Sequence, residues 1–230
     1  MIVSDISLPY GAVIAVKTPA EELIELLSED EKGLIAGSTS TERRMQFAAG
    51  RVAAHEALLS FDRSQTSVSV LRGEGGGPLF PDKIVGSIAH CPRLAVSVAA
   101  RSERLRGIGI DIEKRSRTLS AKVIERISTE RERAVYHPIE QENPEIWLKV
   151  FCVKEALFKA CFGLLGRSLT FSDVSILFES DVLVRIHPES RFEERIQPRN
   201  RFQFEVVSFE YEQFFIATVF FTHGTGVLPL

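Results

Sequence analysis

"GIGIDIEKRSR", residues 107–117, sets Ile108, Ile110 and Ile112 in strict alternation and places Asp111 and Glu113 between and after them. Such alternation predicts a strand, because successive side chains on a strand point to opposite faces. The isoleucines then share one face, and Asp111 and Glu113 lean together from the other. Carboxylates held that close raise each other's pKa or require a cation between them. A solvated strand end is the more common fate of an arbitrary D-x-E, so this pair alone does not decide between the two.

The pattern extends in both directions. Upstream, "IVGSIAHC" (84–91) and "LAVSVAA" (94–100) alternate as strands, and "SVSVLRG" (67–73) reads as a short one. "GEGGGPLFPDK" is a loop by its glycines and prolines. "TPAEELIELL" predicts a helix opened by Thr18 as N-cap, Pro19 at the first position and Glu21 closing a capping box. A second helix is expected from about Thr41 to Ser60, burying Phe47, Val52, Ala54, Leu58 and Leu59. Downstream, Thr129 and Glu132 form a capping box that restarts a helix inside "KVIERISTERERAVYH". "NPEIWLKVFCVKEALFKACFG" is the longest helix, with Asn143 as cap, Pro144 at N1 and Gly163 as stop. It is apolar nearly all round, which predicts deep packing. "DVSILF", "VLVRIH", "FQFEVVSF" and "FFIATVFF" follow as strands.

Each half thus has one long helix followed by short strands. This predicts an α+β fold of two similar subdomains with pseudo-two-fold symmetry, each a long helix on a small, mainly antiparallel sheet. The expected division is 1–106 and 107–230, with a site in the cleft between them.

Composition narrows the function. The 230 residues suffice for a real core, and 44% hydrophobic with 26% charged residues is ordinary globular usage. A net charge of −3 speaks against a general nucleic-acid binder. Cys91, Cys152 and Cys161 form no CxxC pair, and the last two fall on opposite sides of one helix, so reduced thiols and a cytoplasmic protein are expected. The first residues carry an acid where a signal peptide wants a basic region, and no apolar run approaches 18 residues, so neither export nor a membrane span is expected.

Three carboxylates would suit Mg²⁺, which takes oxygen ligands: Asp111, Glu113 and Glu155, the last on the long helix. The competing reading makes Glu155 and Lys159 a surface i, i+4 ion pair, but their helix is largely apolar, and buried Glu and Lys are rare unless paired or functional. Arg43 and Arg51 are eight apart on the second helix, on a similar face; arginine forks suit phosphate, although helix arginines are more often solvated. His90 ends "GSIAH" with no second His or Cys at zinc spacing.

Together and in order, these segments resemble the 4'-phosphopantetheinyl transferases, of the long two-subdomain type that serves siderophore and other secondary-metabolite synthases. "RRMQFAAGR" is similar to the family's Arg-rich helix, "GGPLFPDKIVGSIAHC" to its Pro-x-aromatic-Pro and Gly-Ser-x-x-His-Cys segment, "GIGIDIE" to its metal motif and "FCVKEALFKA" to its Lys-Glu-Ala/Ser-x-x-x-Lys motif. The resemblance covers roughly residues 43–170. It implies a Mg²⁺-dependent holo-[carrier protein] synthase, with Mn²⁺ as a substitute metal. Such an enzyme moves 4'-phosphopantetheine from coenzyme A to a serine of an apo acyl, peptidyl or aryl carrier protein and releases adenosine 3',5'-bisphosphate.

By the same resemblance, Asp111, Glu113 and Glu155 hold the metal against the pyrophosphate, and Asp111 thereby helps bind the coenzyme. Lys159 and Lys154 neutralise pyrophosphate charge, and Glu155 is the candidate base. Arg43, Arg51, His90 and Arg72 hold the phosphates of the adenosine 3',5'-bisphosphate portion, and Ser87 to His90 line the adenine side. The chain departs from the family pattern at Gly75-Gly76-Gly77, where a basic residue often stands, at Phe80, where Trp is usual, and at Ala89, where a hydroxyl is common. A Mg²⁺-dependent nucleotide phosphohydrolase and a catalytically silent coenzyme A-binding module are the alternative readings. A monomer that needs neither nucleic acid nor membrane is expected.

Overall fold

The computed structural model describes residues 1–3, 6–62, 68–73, 75–162, 169–180, 183–189 and 202–223. Strand β1 (Val13–Lys17) leads through a 3₁₀ helix (Glu21–Leu26) to α1 (Glu29–Gly33) and the long α2 (Thr41–Leu59). A small hairpin, β2 (Leu71–Arg72) and β3 (Pro78–Leu79), precedes β4 (Ile84–Cys91), β5 (Leu94–Arg101) and β6 (Leu105–Lys114). Helices α3 (Ala121–Ile127), α4 (Glu130–Tyr136) and α5 (Ile146–Cys161) follow, then β7 (Val174–Phe178), β8 (Val184–Pro188), β9 (Phe202–Tyr211) and β10 (Phe214–His223).

Two three-stranded antiparallel sheets result, ordered β1-β5-β4 and β6-β10-β9. The order is the same in both. Each sheet's first strand precedes the long helix, its last strand sits in the middle, and the penultimate strand takes the far edge. The repeat expected from sequence is therefore present but starts one strand earlier, because β1 was not among the strands read from the sequence. The α+β class holds.

Helix α2 covers one face of the first sheet through Ala53 and Ala57 against Ala15 and Ala99. Helix α5 covers the second sheet through Val153, Ala156, Leu157 and Ala160 against Ala217 and Val219. The remaining faces share one core, in which Ile108, Ile110 and Ile112 meet Val96, Val98, Phe214 and Phe220. The isoleucine alternation thus faces the shared core, and Asp111 and Glu113 face α5, paired across the ladder with Ala217 and Phe215.

Several local expectations change. Thr18 is not the cap: the expected helix is a 3₁₀ helix over Glu21–Leu26, and its N-cap residue Ala20 makes no side-chain cap. The capping box lies at Ser28 and Glu31 instead. There the Glu31 carboxylate is fully buried and accepts from Ser28 N, His55 Nε2 and Val70 N at 3.0, 2.8 and 2.9 Å, anchorage that an exposed Thr18 box would lack. Helix α5 starts after Glu145, since Asn143 and Pro144 lie in the preceding turn, where Ile146 N donates to Asn143 O. Gly163, the expected stop, lies outside the described residues. Of the described residues of "SVSVLRG", Leu71–Arg72 are strand.

Gly109 sets how closely α5 approaches β6. A Cβ there would lie 1.9 Å from Ala156 O and 2.5 Å from Ala160 N, both helix backbone. Gly109→Ala must push the helix off the sheet. Overpacking of this kind costs about 1–3 kcal/mol, read as a lower urea midpoint at unchanged slope.

Candidate active site

The close approach at Gly109 brings the middle of α5 over the acidic face of β6. Lys159 donates to Ile110 O at 3.0 Å and to Asp111 Oδ1 at 2.7 Å, joining helix to strand. It makes no ion pair with Glu155, its i−4 neighbour, so the helix-surface reading of that pair fails. The other Asp111 oxygen, Oδ2, is buried without a hydrogen-bond partner. Glu113 is held by Arg117, whose guanidinium also lies 5.2 Å from the Phe151 ring centre.

The carboxylates feel one another. Burial, then the Asp111 charge, raises the Glu155 pKa, with Lys159 opposing and Glu113 adding to the rise. Burial likewise raises Glu113, which Arg117 partly relieves and Asp111 reinforces. His90 belongs to the same field: desolvation and the Lys159 ammonium lower its pKa, against a smaller upward pull from Asp111. Asp111, Glu113, Glu155 and Lys159 are therefore brought together, and His90, which the sequence reading grouped with the arginines, feels the charges of Lys159 and Asp111.

A hard divalent cation suits this donor set. All three carboxylates supply oxygen, and the orphaned Asp111 Oδ2 lacks what such an ion would provide. Among the described residues no three His, Cys, Asp or Glu side chains form a ready-made cage, since Lys159 and Arg117 hold Asp111 and Glu113.

Lys154 requires a correction. Its ammonium is fully buried and donates to Ile127 O, Phe171 O and Glu132 Oε2 at 2.7, 2.7 and 2.8 Å. An ammonium has three N–H donors, so none remains for a phosphate. Glu132 in turn accepts from Thr129 N and Ile176 N, both at 2.7 Å. This is a structural ion pair tying α4 and α5 to β7. Desolvation lowers the Lys154 pKa and Glu132 opposes it.

The arginines divide. Arg43 is exposed near the start of α2. Arg51, two turns on, is only 6% exposed, lies 4.4 Å from the Phe47 ring centre, and leaves Nε without a hydrogen-bond partner. Burial lowers its pKa to about 10, with Glu31 pulling up and Arg72 pushing down, so Arg72 on β2 is close by. A buried guanidinium that feels a second arginine's charge and carries an unpartnered N–H has the chemistry of an anion site.

Between the two sheets lies a cleft of ≈ 570 Å³. The glycine loop, β4 from Ile84 to Ile88, the start of β6 and Lys159 line it. Ser87 is one wall residue, and its Oγ accepts from Ile110 N at 3.2 Å, stitching β4 to β6. Phe80 packs on Gly86, where a Cβ would lie 2.3 Å from its ring. The glycines at 75–77 have a steric reason. Gly75 and Gly76 adopt φ of +86° and +94°, and a Cβ at Gly75 or Gly77 would come within 2.9 or 3.1 Å of Phe162. Sequence reasoning missed Phe162, Arg106 on the cleft wall and Arg117. The signal for Arg117 was available: it stands four residues beyond Glu113 in the opening stretch.

Comparison with known proteins agrees in both halves. Residues 30–100 match the 4'-phosphopantetheinyl transferase N-terminal domain, and residues 107–219 match the 4'-phosphopantetheinyl transferase superfamily. The 4'-phosphopantetheinyl transferase PptT of Mycobacterium tuberculosis is 36% identical over 154 residues, 66% of this chain and 65% of that protein. The 4'-phosphopantetheinyl transferase Npt of Nocardia iowensis is 34% identical over 65% of each chain. Enterobactin synthase component D of Salmonella typhimurium is 32% identical over 54% of this chain and 50% of its own. The chain thus aligns with about two-thirds or less of these relatives' length. With family matches across both sheets and the acidic helix–strand crossing between them, the chain belongs to the 4'-phosphopantetheinyl transferase superfamily.

Proposed function

We propose that this protein is a holo-[carrier protein] synthase, transferring 4'-phosphopantetheine from coenzyme A to a serine of an apo carrier protein and releasing adenosine 3',5'-bisphosphate. The observation that carries the reading is the crossing of α5 and β6, where Lys159, Asp111, Glu113 and Glu155 meet beside a cleft walled by both halves. The names of the relatives support the same activity, and that of enterobactin synthase component D favours carriers of siderophore or other secondary-metabolite synthases.

The serine oxygen forms a new bond to the β-phosphorus of coenzyme A as the bond to the leaving bisphosphate breaks. Such a transfer is mostly positioning and charge neutralisation. Arg51 and Arg72, with Arg43 and His90 at the margin, hold the 3'-phosphate end. The cleft at Ser87 takes the adenine side. Lys159 has a donor beyond Ile110 O and Asp111 to offer the pyrophosphate. Asp111, Glu113 and Glu155 would hold Mg²⁺, which supplies charge neutralisation at the pyrophosphate when bound. Glu155, whose pKa is raised by burial and by Asp111, accepts the serine proton. Both halves of the site come from one chain, which favours a working monomer. Three buried free thiols suit a reducing cytoplasm. No helix among the described residues is long and apolar enough to cross a membrane.

Incubation with coenzyme A, Mg²⁺ and an apo carrier, read by intact mass, tests the reading. Transfer adds phosphopantetheine to the carrier. Coenzyme A broken down with the carrier unchanged would point to a phosphohydrolase, and neither change to a silent binder. Arg51→Ala should raise the KM for coenzyme A by about tenfold or more with a smaller effect on kcat, because its contact is remote from the reacting bond. The loss should shrink with 3'-dephospho-coenzyme A; an equal loss with both donors would place Arg51 elsewhere.

A further inference from the structure

We propose that Glu31 is the positioning residue of the anion clamp, fixing Arg51 and Arg72 against each other; this rests on the coenzyme A reading above. His55, which grips Glu31 Oε1 at 2.8 Å, stands one helical turn after Arg51 on the same face of α2. Val70, whose N–H donates to that same oxygen at 2.9 Å, stands two residues before Arg72, one strand repeat away. A single fully buried carboxylate therefore ties the helix face that carries Arg51 to the segment that carries Arg72.

Its charge matters as well as its bonds. Arg72 acts on Arg51 by like-charge repulsion, and Arg51 is buried. Arg51 makes no ion pair with a carboxylate among the described residues, Glu31 included, yet Glu31 is near enough to favour its charged form. The arrangement offsets the clamp's charge without pairing Glu31 to the Arg51 guanidinium, whose Nε keeps no hydrogen-bond partner. Burial alone would raise the Glu31 pKa, but hydrogen bonds from His55, Val70 and Ser28 outweigh it, so the carboxylate stays ionised.

The test compares wild type, Glu31→Gln, Arg51→Ala and the double variant, with coenzyme A and 3'-dephospho-coenzyme A as donors. Both steady-state transfer and calorimetric binding of each donor are read. Glu31→Gln should raise the KM and Kd for coenzyme A about five- to tenfold, leave kcat within about twofold, and leave 3'-dephospho-coenzyme A nearly unaffected. In the Arg51→Ala background it should add little, since its target is gone. A merely structural Glu31 would weaken both donors alike, or act additively with Arg51→Ala, and either result overturns the proposal. If wild type itself binds both donors equally, the 3'-phosphate clamp fails, and the proposal with it. If wild type binds coenzyme A selectively but modifies no carrier, only the transfer reading fails, and the binding arm still decides the role of Glu31. Should Glu31→Gln not fold, His55→Ala removes one anchor at a partly exposed position, and a shift for coenzyme A alone is again required.

Discussion

Glu155→Gln is expected to slow transfer to an apo carrier by about a hundredfold or more, the usual scale for losing a general acid–base group. The substitution keeps the shape of the side chain and removes only its charge and proton affinity. Its effect on stability should have the opposite sign. The pKa of Glu155 is raised in the fold, first by burial and then by Asp111, so its ionised form costs stability at neutral pH. Glutamine removes that cost, and the melting temperature in EDTA should hold or rise. Single-turnover transfer and thermal melts on the same preparation give both readings. A variant that melts lower in EDTA yet transfers at the wild-type rate would return Glu155 to a structural role.

Lys154→Met should do the reverse, with a stability loss of about 3–5 kcal/mol, the range for breaking a buried ion pair by removing one partner. The substitution strands the Glu132 carboxylate in the interior and leaves Ile127 O and Phe171 O without their donor. Urea unfolding measures the loss directly. The KM for coenzyme A of whatever protein remains folded should be near normal. Had Lys154 contacted the pyrophosphate, as its place in the motif implies, the substitution would spare stability and raise that KM instead. Glu132→Gln added to Lys154→Met should recover part of the loss, because it removes the unpaired charge while its one amide oxygen still accepts from either Thr129 N or Ile176 N, which donate to different oxygens of Glu132.

Lys154 and Glu155 show where sequence reading stops. They are neighbours in one motif, and the motif identifies both equally. Successive helix residues point about 100° apart, so one enters the acidic crossing while the other enters the core beneath α4. Which goes where depends on a partner, Glu132, that local pattern does not single out. The strands were more legible. Alternation alone located β4 to β6 and β7 to β10, and it put the isoleucines and the acids on the correct opposite faces. It failed at "TPAEELIELL", where the cap chemistry looked sound but the competing box at Ser28 and Glu31 had tertiary anchors. Glu31 itself sits in "SEDEKG", which reads as solvated surface, and nothing local marks one of its acids as fully buried. Gly75 to Gly77 looked like a lost basic residue; the fold makes them the contact surface of an aromatic ring from the other half.

The sheet order has a consequence for how the molecule is made. In each half the first strand waits for the last: β1 pairs with β5 some eighty residues later, and β6 with β10 about a hundred residues later. A ribosome releases β1 to β5 first, so the first sheet can close while the second half is still being synthesised. Strand β6 then emerges carrying Asp111 and Glu113 but has no ladder partner of its own sheet until β10 is out. Until that moment the nascent chain has its arginine clamp and one wall of the cleft, but no rigid floor for the acidic group. On the proposed function, transfer is therefore expected only from chains whose translation has passed β10.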